Sequence, residues 1–99
     1  MNKDYGCDMR GMLSFQILWL LSKNSMHGEE IAEEIEKRRG KKPKAGTLYP
    51  ALRYLHEKGL ISGEKKGKTV VYSLTPKGKR SVKAAKEYFL RSFRDILEA

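Results

Sequence analysis

Three side chains in one short stretch carry groups that a polyanion would meet. The hydroxyls of Thr47 and Tyr49 can donate to a phosphate oxygen or a base edge. The guanidinium of Arg53 can fork onto two acceptors at once, such as the O6 and N7 of a guanine, or hold a phosphate. Gly46 precedes them and offers backbone with no side chain in the way. Lys42 and Lys44 lie just upstream, and Lys65, Lys66 and Lys68 fall in a glycine-punctuated stretch downstream. Their ammonium groups suit neutralisation of phosphates without reading sequence. The competing structural reading packs Tyr49 beneath its helix and leaves Arg53 and the lysines as solvated charges.

The charge distribution favours the first reading. The 99-residue chain carries 21 basic and 12 acidic residues, a net +9. Residues 41–80 hold eleven Lys or Arg against only Glu57 and Glu64, while the rest of the chain is balanced at ten and ten. The whole excess therefore sits in one block beside the candidate contacts, which points to nucleic acid or another polyanion.

Other chemistries find little support. No Gly-x-Ser-x-Gly element, glycine-rich phosphate loop before Lys-Ser/Thr, or His/Cys cluster with ligand spacing occurs, so neither an enzyme nor a metal or cofactor site is expected. His27 and Cys7 stand alone. A single cysteine allows no internal disulfide and fits a reducing cytoplasm. No apolar run has the length of a membrane span, and Met1–Cys7 lacks the order of a secretory signal.

The elements that must position these groups follow from periodicity. One domain is expected, mainly α with a small β-hairpin, preceded by a flexible stretch over 1–8. A first helix over Met9–Leu21 is apolar on more than one face, with Leu13, Ile17, Leu20 and Leu21 as one stripe and Met12, Phe15 and Trp19 outside it. A second subunit is expected to supply the extra cover. Ser25 is the candidate N-cap of a second helix reaching Arg39, its first turn acidic and its last turn basic, ended by Gly40. A third helix over Ala45–Lys58 turns Leu48, Leu52 and Leu55 inward. Pro50 implies that it starts later than Ala45 or is kinked. Leu60–Ser62 and Thr69–Leu74 read as strands, with Gly63–Lys68 as the turn between them. Thr75-Pro76 starts a last helix, in which Val82, Ala85, Phe89, Phe93 and Ile96 recur three or four apart, a seam of coiled-coil type. With Leu13 and Ile17 these residues are the expected dimer contacts. The arrangement is a winged helix-turn-helix over 9–75 with one long C-terminal dimerisation helix over 76–99.

Several motifs also match a known family. His27-Gly28-Glu29-Glu30-Ile31-Ala32, Gly46-Thr47-Leu48-Tyr49-Pro50-Ala51-Leu52-Arg53-Tyr54-Leu55, Gly59-Leu60-Ile61 and Tyr72-Ser73-Leu74-Thr75-Pro76-Lys77-Gly78 resemble the corresponding blocks of PadR-like transcriptional regulators. The resemblance spans about Leu13 to Gly78. It implies a homodimeric repressor-type protein whose third helix enters the major groove of double-stranded DNA, whose wing touches the backbone or the minor groove, and whose C-terminal helix pairs subunits with the first helix. Some relatives bind aromatic or multidrug-like ligands at the dimer interface, which makes Phe15, Trp19 and Phe93 the candidate pocket for a small aromatic effector. Two departures stand out. Glu29 replaces a frequent aromatic, and Lys44-Ala45 stands where a capping Ser is usual.

A two-fold dimer of this kind should recognise an inverted repeat, with half-site centres about 10 base pairs apart or a multiple of that. The same basic face would also suit RNA or an acidic protein partner. Competition between duplex DNA and RNA separates the first alternative, and absence of duplex affinity at low salt would mark the second.

Overall fold

The computed structural model describes residues 9–98 of the chain. The expectations for residues 1–8, Cys7 among them, lie outside the described residues. The elements run α1 (Met9–Lys23), β1 (Met26–His27), α2 (Gly28–Arg39), α3 (Ala45–Glu57), β2 (Ile61–Lys66), β3 (Thr69–Leu74) and α4 (Pro76–Glu98). The three strands form one antiparallel sheet in the order β1-β3-β2. This is a mainly α winged helix with one long C-terminal helix.

The core explains why α1 is apolar around most of its girth. Leu13, Ile17, Leu18, Leu20 and Leu21 are all buried, joined by Ile31, Ala32 and Ile35 of α2, by Leu48, Ala51, Leu52 and Leu55 of α3, and by Ile61 and Val82. α1 touches α2, α3, α4 and β3, so it is the helix around which the others assemble. Its second apolar face is thus covered largely by its own chain. Leu13, Ile17 and Val82, expected at a subunit interface, are 1%, 0% and 5% exposed and lie inside the protomer. Met12 remains exposed, and Phe15 and Trp19 half-buried.

Three local expectations change in the structure. Ser25 is not the cap of α2. His27 is: its Nδ1 accepts from the backbone N–H of Glu30, and the Glu30 carboxylate accepts from the N–H of His27, closing a capping box. The residues before it are drawn into β1, where Met26 pairs with Tyr72 and His27 with Val71. Ser25 instead shares a 2.7 Å hydroxyl–hydroxyl hydrogen bond with Ser73. A two-residue strand has too little pattern to be read locally, because it exists only through its partner.

The hairpin is also longer than its composition suggested. β2 extends through Lys66, leaving only Gly67-Lys68 as the turn, with Lys66 paired to Thr69. Gly67 has φ +65° and Lys68 does not share its sign, the pattern of a II′ turn with Gly at the first central position. Lys65 and Lys66, which resembled loop residues, are strand residues paired with β3, and Lys68 stays in the turn.

α3 begins at Ala45 and runs unbroken past Pro50. Of the two expectations for Pro50, a later start or a kink, the later start does not occur. Lys44 caps it through the backbone alone, its carbonyl accepting from both Thr47 and Leu48 at 2.9 Å. The C-terminal end is fastened to α4. Thr75 Oγ1 donates to the Gly59 carbonyl at 2.6 Å and accepts from Gly78 N–H at 3.0 Å, so it caps α4 as its sequence predicted. Lys77 Nζ donates to the Lys58 carbonyl at 2.9 Å. The base of the wing, the end of α3 and the start of α4 therefore form one knot.

Candidate nucleic-acid interface

Burial of Leu48, Ala51, Leu52 and Leu55 fixes the rotation of α3. At 100° per residue, the line farthest from that stripe is Gly46, Pro50, Arg53 and Glu57, all exposed. The centre of the presented face is thus two residues with little or no side chain followed by a guanidinium. Gly46 would meet nothing within 4 Å if given a Cβ, so its surface is open. Pro50 has no N–H, which leaves the Gly46 carbonyl without its helical donor. Sequence reasoning took Pro50 only as a structural problem, yet it lies on the presented line. Helical projection about the leucine stripe would have placed it there.

Thr47 and Tyr49 flank this line on opposite sides. Thr47 is exposed. The Tyr49 ring lies across the start of α2: a Cβ on Gly28 would stand 2.9 Å from its Cε1 and Cζ. Glycine at 28 is what admits the ring. Tyr49 is still 43% exposed, so it both packs and presents its edge, which combines the two readings of this residue. Beyond it lies Tyr72, whose phenol is pushed above its ordinary range by burial and secondarily by the neighbouring Tyr49.

The wing completes the face. A cleft of about 270 Å³ separates the start of α2 from the hairpin, and Glu29, Tyr49, Lys68 and Thr69 are among its walls. Two predicted contacts, Tyr49 and Lys68, meet there. The strand register separates the other two wing lysines. Lys65 opposes Val70 and shares its face with Gly63 and Tyr72, whereas Lys66 lies on the other face beside Glu64, at 3.9 Å. The three lysines do not project together.

Glu29 and Lys42 form an ion pair that neither residue's sequence context revealed. That hydrogen bond holds the Lys42 ammonium above the usual lysine range. Lys42 thus reaches the basic face already engaged by a carboxylate, while Lys44 and Arg53 have no carboxylate partner among the described residues. Elsewhere, Arg38 and Lys37 hold Glu34 below the usual carboxylate range, on a part of α2 away from this face.

The aromatic residues named for an effector have different neighbours within the protomer. Phe15, Phe89 and Phe93 make a ladder, with centroids 6.2 and 4.9 Å apart. Trp19 lies elsewhere on α1, with Arg38 and Lys23 over its ring at 5.2 and 5.4 Å. Phe15 and Phe93 share a surface, and Trp19 faces α2.

No helix among the described residues is long and apolar enough to cross a membrane. What the molecule offers is a basic face built from a helix and a hairpin, and known proteins share the fold that presents it. RosR of H. salinarum is 30% identical over 87% of this chain and 84% of its own, with a TM-score of 0.75. A transcriptional regulator from Clostridium thermocellum is 26% identical over 91% and 94%, with a TM-score of 0.80. A PadR family transcription regulator from Clostridium difficile is 26% identical over 89% and 96%, with a TM-score of 0.75. No curated protein matches the sequence. Residues 17–84 match the transcriptional regulator PadR-like family, so this chain belongs to that family and is a DNA-binding transcriptional regulator.

Proposed function

We propose that the chain acts as a homodimeric repressor, in which two copies of α3 enter successive major grooves of an inverted-repeat operator in the cytoplasm. The observation that carries the reading is the pairing of two unlike surfaces. Arg53, with Lys65 and Lys68 of the wing, makes one face basic. The end of α4 is apolar and bare, with Phe93 40%, Ile96 69% and Leu97 68% exposed. Apolar residues in such a row are costly in water and are covered by a like row in a two-fold pair.

In this reading Gly46 and Pro50 let the backbone of α3 approach the groove floor, and Arg53 reads a base edge or clamps a phosphate. Thr47 and Tyr49 fix the helix by phosphate contacts on either side. Lys44, Lys65 and Lys68 neutralise backbone charge, with Lys66 less engaged. Ala85 and Phe89 brace α4 on α1, and Phe93 and Ile96 meet the second subunit. Repression follows from occupancy of a promoter.

Selection of bound sequences from random duplexes tests this directly. The expected product is an inverted repeat with half-site centres about 10 base pairs apart or a multiple. Enrichment of lone half-sites or direct repeats would overturn the two-fold arrangement.

A further inference from the structure

Within α3 one backbone group stands apart. Each carbonyl from Ala45 to Pro50 has a residue with an N–H four places on, except that of Gly46, which faces Pro50. Among the described residues, the side chains that donate to a backbone carbonyl are Ser22, Arg38, Thr69, Thr75 and Lys77, each directed elsewhere. The Gly46 oxygen thus keeps acceptor capacity that its neighbours along the helix have used.

Its surroundings leave it open. Gly46 and Pro50 are both exposed, on the line farthest from the buried stripe, and a Cβ at Gly46 would meet nothing within 4 Å. Carbonyls on the solvent side of a helix tilt outward toward water. A proline ring crowds the carbonyl four residues back, but it donates nothing to it. Solvation by water leaves such an exposed oxygen without penalty. Against a duplex that water is displaced, and an acceptor left without a donor carries its full desolvation cost.

We infer that the Gly46 carbonyl reads one base in each half-site, by accepting from an exocyclic amine on the floor of the major groove. The inference rests on the operator reading above, in which α3 enters that groove. Adenine N6 and cytosine N4 are the donors displayed there, whereas guanine O6 and thymine O4 are acceptors that would confront the carbonyl oxygen. The carbonyl therefore separates amino bases from keto bases, and does not separate adenine from cytosine. Arg53, on the same line, displays donors only. Seven residues, roughly 10 Å along the helix axis, lie between the two, so acceptor and donor do not compete for one base. Pro50 is then a positioning residue. It acts by withholding an N–H and not through its ring.

The test measures duplex affinity by fluorescence anisotropy on the inverted repeat selected by the parent, with each position of one half-site carrying the four base pairs in turn. One position should prefer adenine or cytosine over guanine or thymine on the same strand by about tenfold. Pro50→Ala returns an N–H to Gly46 and should reduce that preference to about twofold or less, leaving the other positions unchanged. Pro50→Val returns the N–H while keeping apolar bulk, and should do the same. Both variants supply a helix donor that the parent lacks, so the fold is not at risk. Purine in place of adenine, or 2-pyrimidinone in place of cytosine, at that position should weaken the parent about tenfold and Pro50→Ala about threefold or less, the remainder being the weakened base pair. The inference falls, with the operator reading intact, if no position divides amino from keto bases. It falls equally if the division survives in either variant, retention in Pro50→Val alone marking the ring as the contact. Selection of no inverted repeat by the parent would instead overturn the operator reading, and this inference with it.

Discussion

α3 and α4 are built on the same pattern and meet different fates. Each carries apolar residues three and four apart. In α3 the whole line, Leu48, Ala51, Leu52 and Leu55, is buried by the chain's own α1 and neighbouring elements. In α4 the line begins buried at Val82, is half-buried at Ala85 and Phe89, and is exposed at Phe93 and Ile96. A 99-residue chain has core enough to cover the first helix and only part of the second. What α3 leaves outward is polar, with Arg53 and Glu57 exposed and lysines on either side in the chain, whereas α4 leaves apolar surface. The two surfaces ask for partners of opposite kind, one held by charge and one by exclusion of water.

Salt separates them, with the largest expected effect. If the dimer engages about six to ten phosphates, duplex affinity should fall ~10³–10⁵-fold between 50 and 200 mM salt, through release of condensed counterions. Self-association through Phe93 and Ile96 should hold steady or strengthen over the same range, as sedimentation would show. Phe93→Asp should do the converse. Phe93 is already part-exposed in the protomer, so the fold should persist, but an uncompensated charge in the paired seam should dissociate the dimer at any salt. If dissociation and DNA release follow one salt curve, the contrast between the two helices fails.

The wing sharpens the comparison on a smaller scale, because the register assigns its lysines unequal work. Lys65→Ala and Lys68→Ala should each lower the salt slope by about one and weaken all duplexes alike. Lys66→Ala should do less, since Lys66 lies on the opposite face with Glu64 beside it. Equal slopes for the three variants, measured by filter binding across a salt series, would mean that the hairpin twists or rearranges on DNA.

The unequal lysines show where legibility in the sequence stopped. The helices, Gly40 with its left-handed φ of +80°, and the Thr75 cap were readable because each depends on residues close in sequence. Lysine and glycine content suggested a loop over 63–68, whereas pairing of Gly63 to Lys66 with Tyr72 to Thr69 makes most of it strand. Likewise β1 exists only because Tyr72 and Val71 come to lie beside Met26 and His27. Periodicity showed that α1 and α4 were amphipathic or more. It could not say whether Leu13, Ile17 and Val82 faced the chain itself or a partner, because both kinds of burial leave the same spacing. Tyr49 was ambiguous for a similar reason: its packing against Gly28 joins two helices whose approach no local signal encodes.

Glu29 is the residue in which these lessons meet, and it carries the smallest effect. It puts a carboxylate in the cleft beside Tyr49 and Lys68 and ties down Lys42. A phosphate approaching that cleft meets a repelling charge and a lysine already engaged. Glu29→Gln should remove the first and free the second, strengthening duplex binding on the order of a few-fold at low salt, the scale of a single exposed ion pair, and steepening the salt response. Lys42→Ala should then matter more in the Glu29→Gln background than in the parent, and a double-mutant cycle on DNA affinity measures that difference. Additive effects would show that Lys42 reaches the phosphates regardless of Glu29, and that this stretch of the basic face is as freely available as its lysine count suggests.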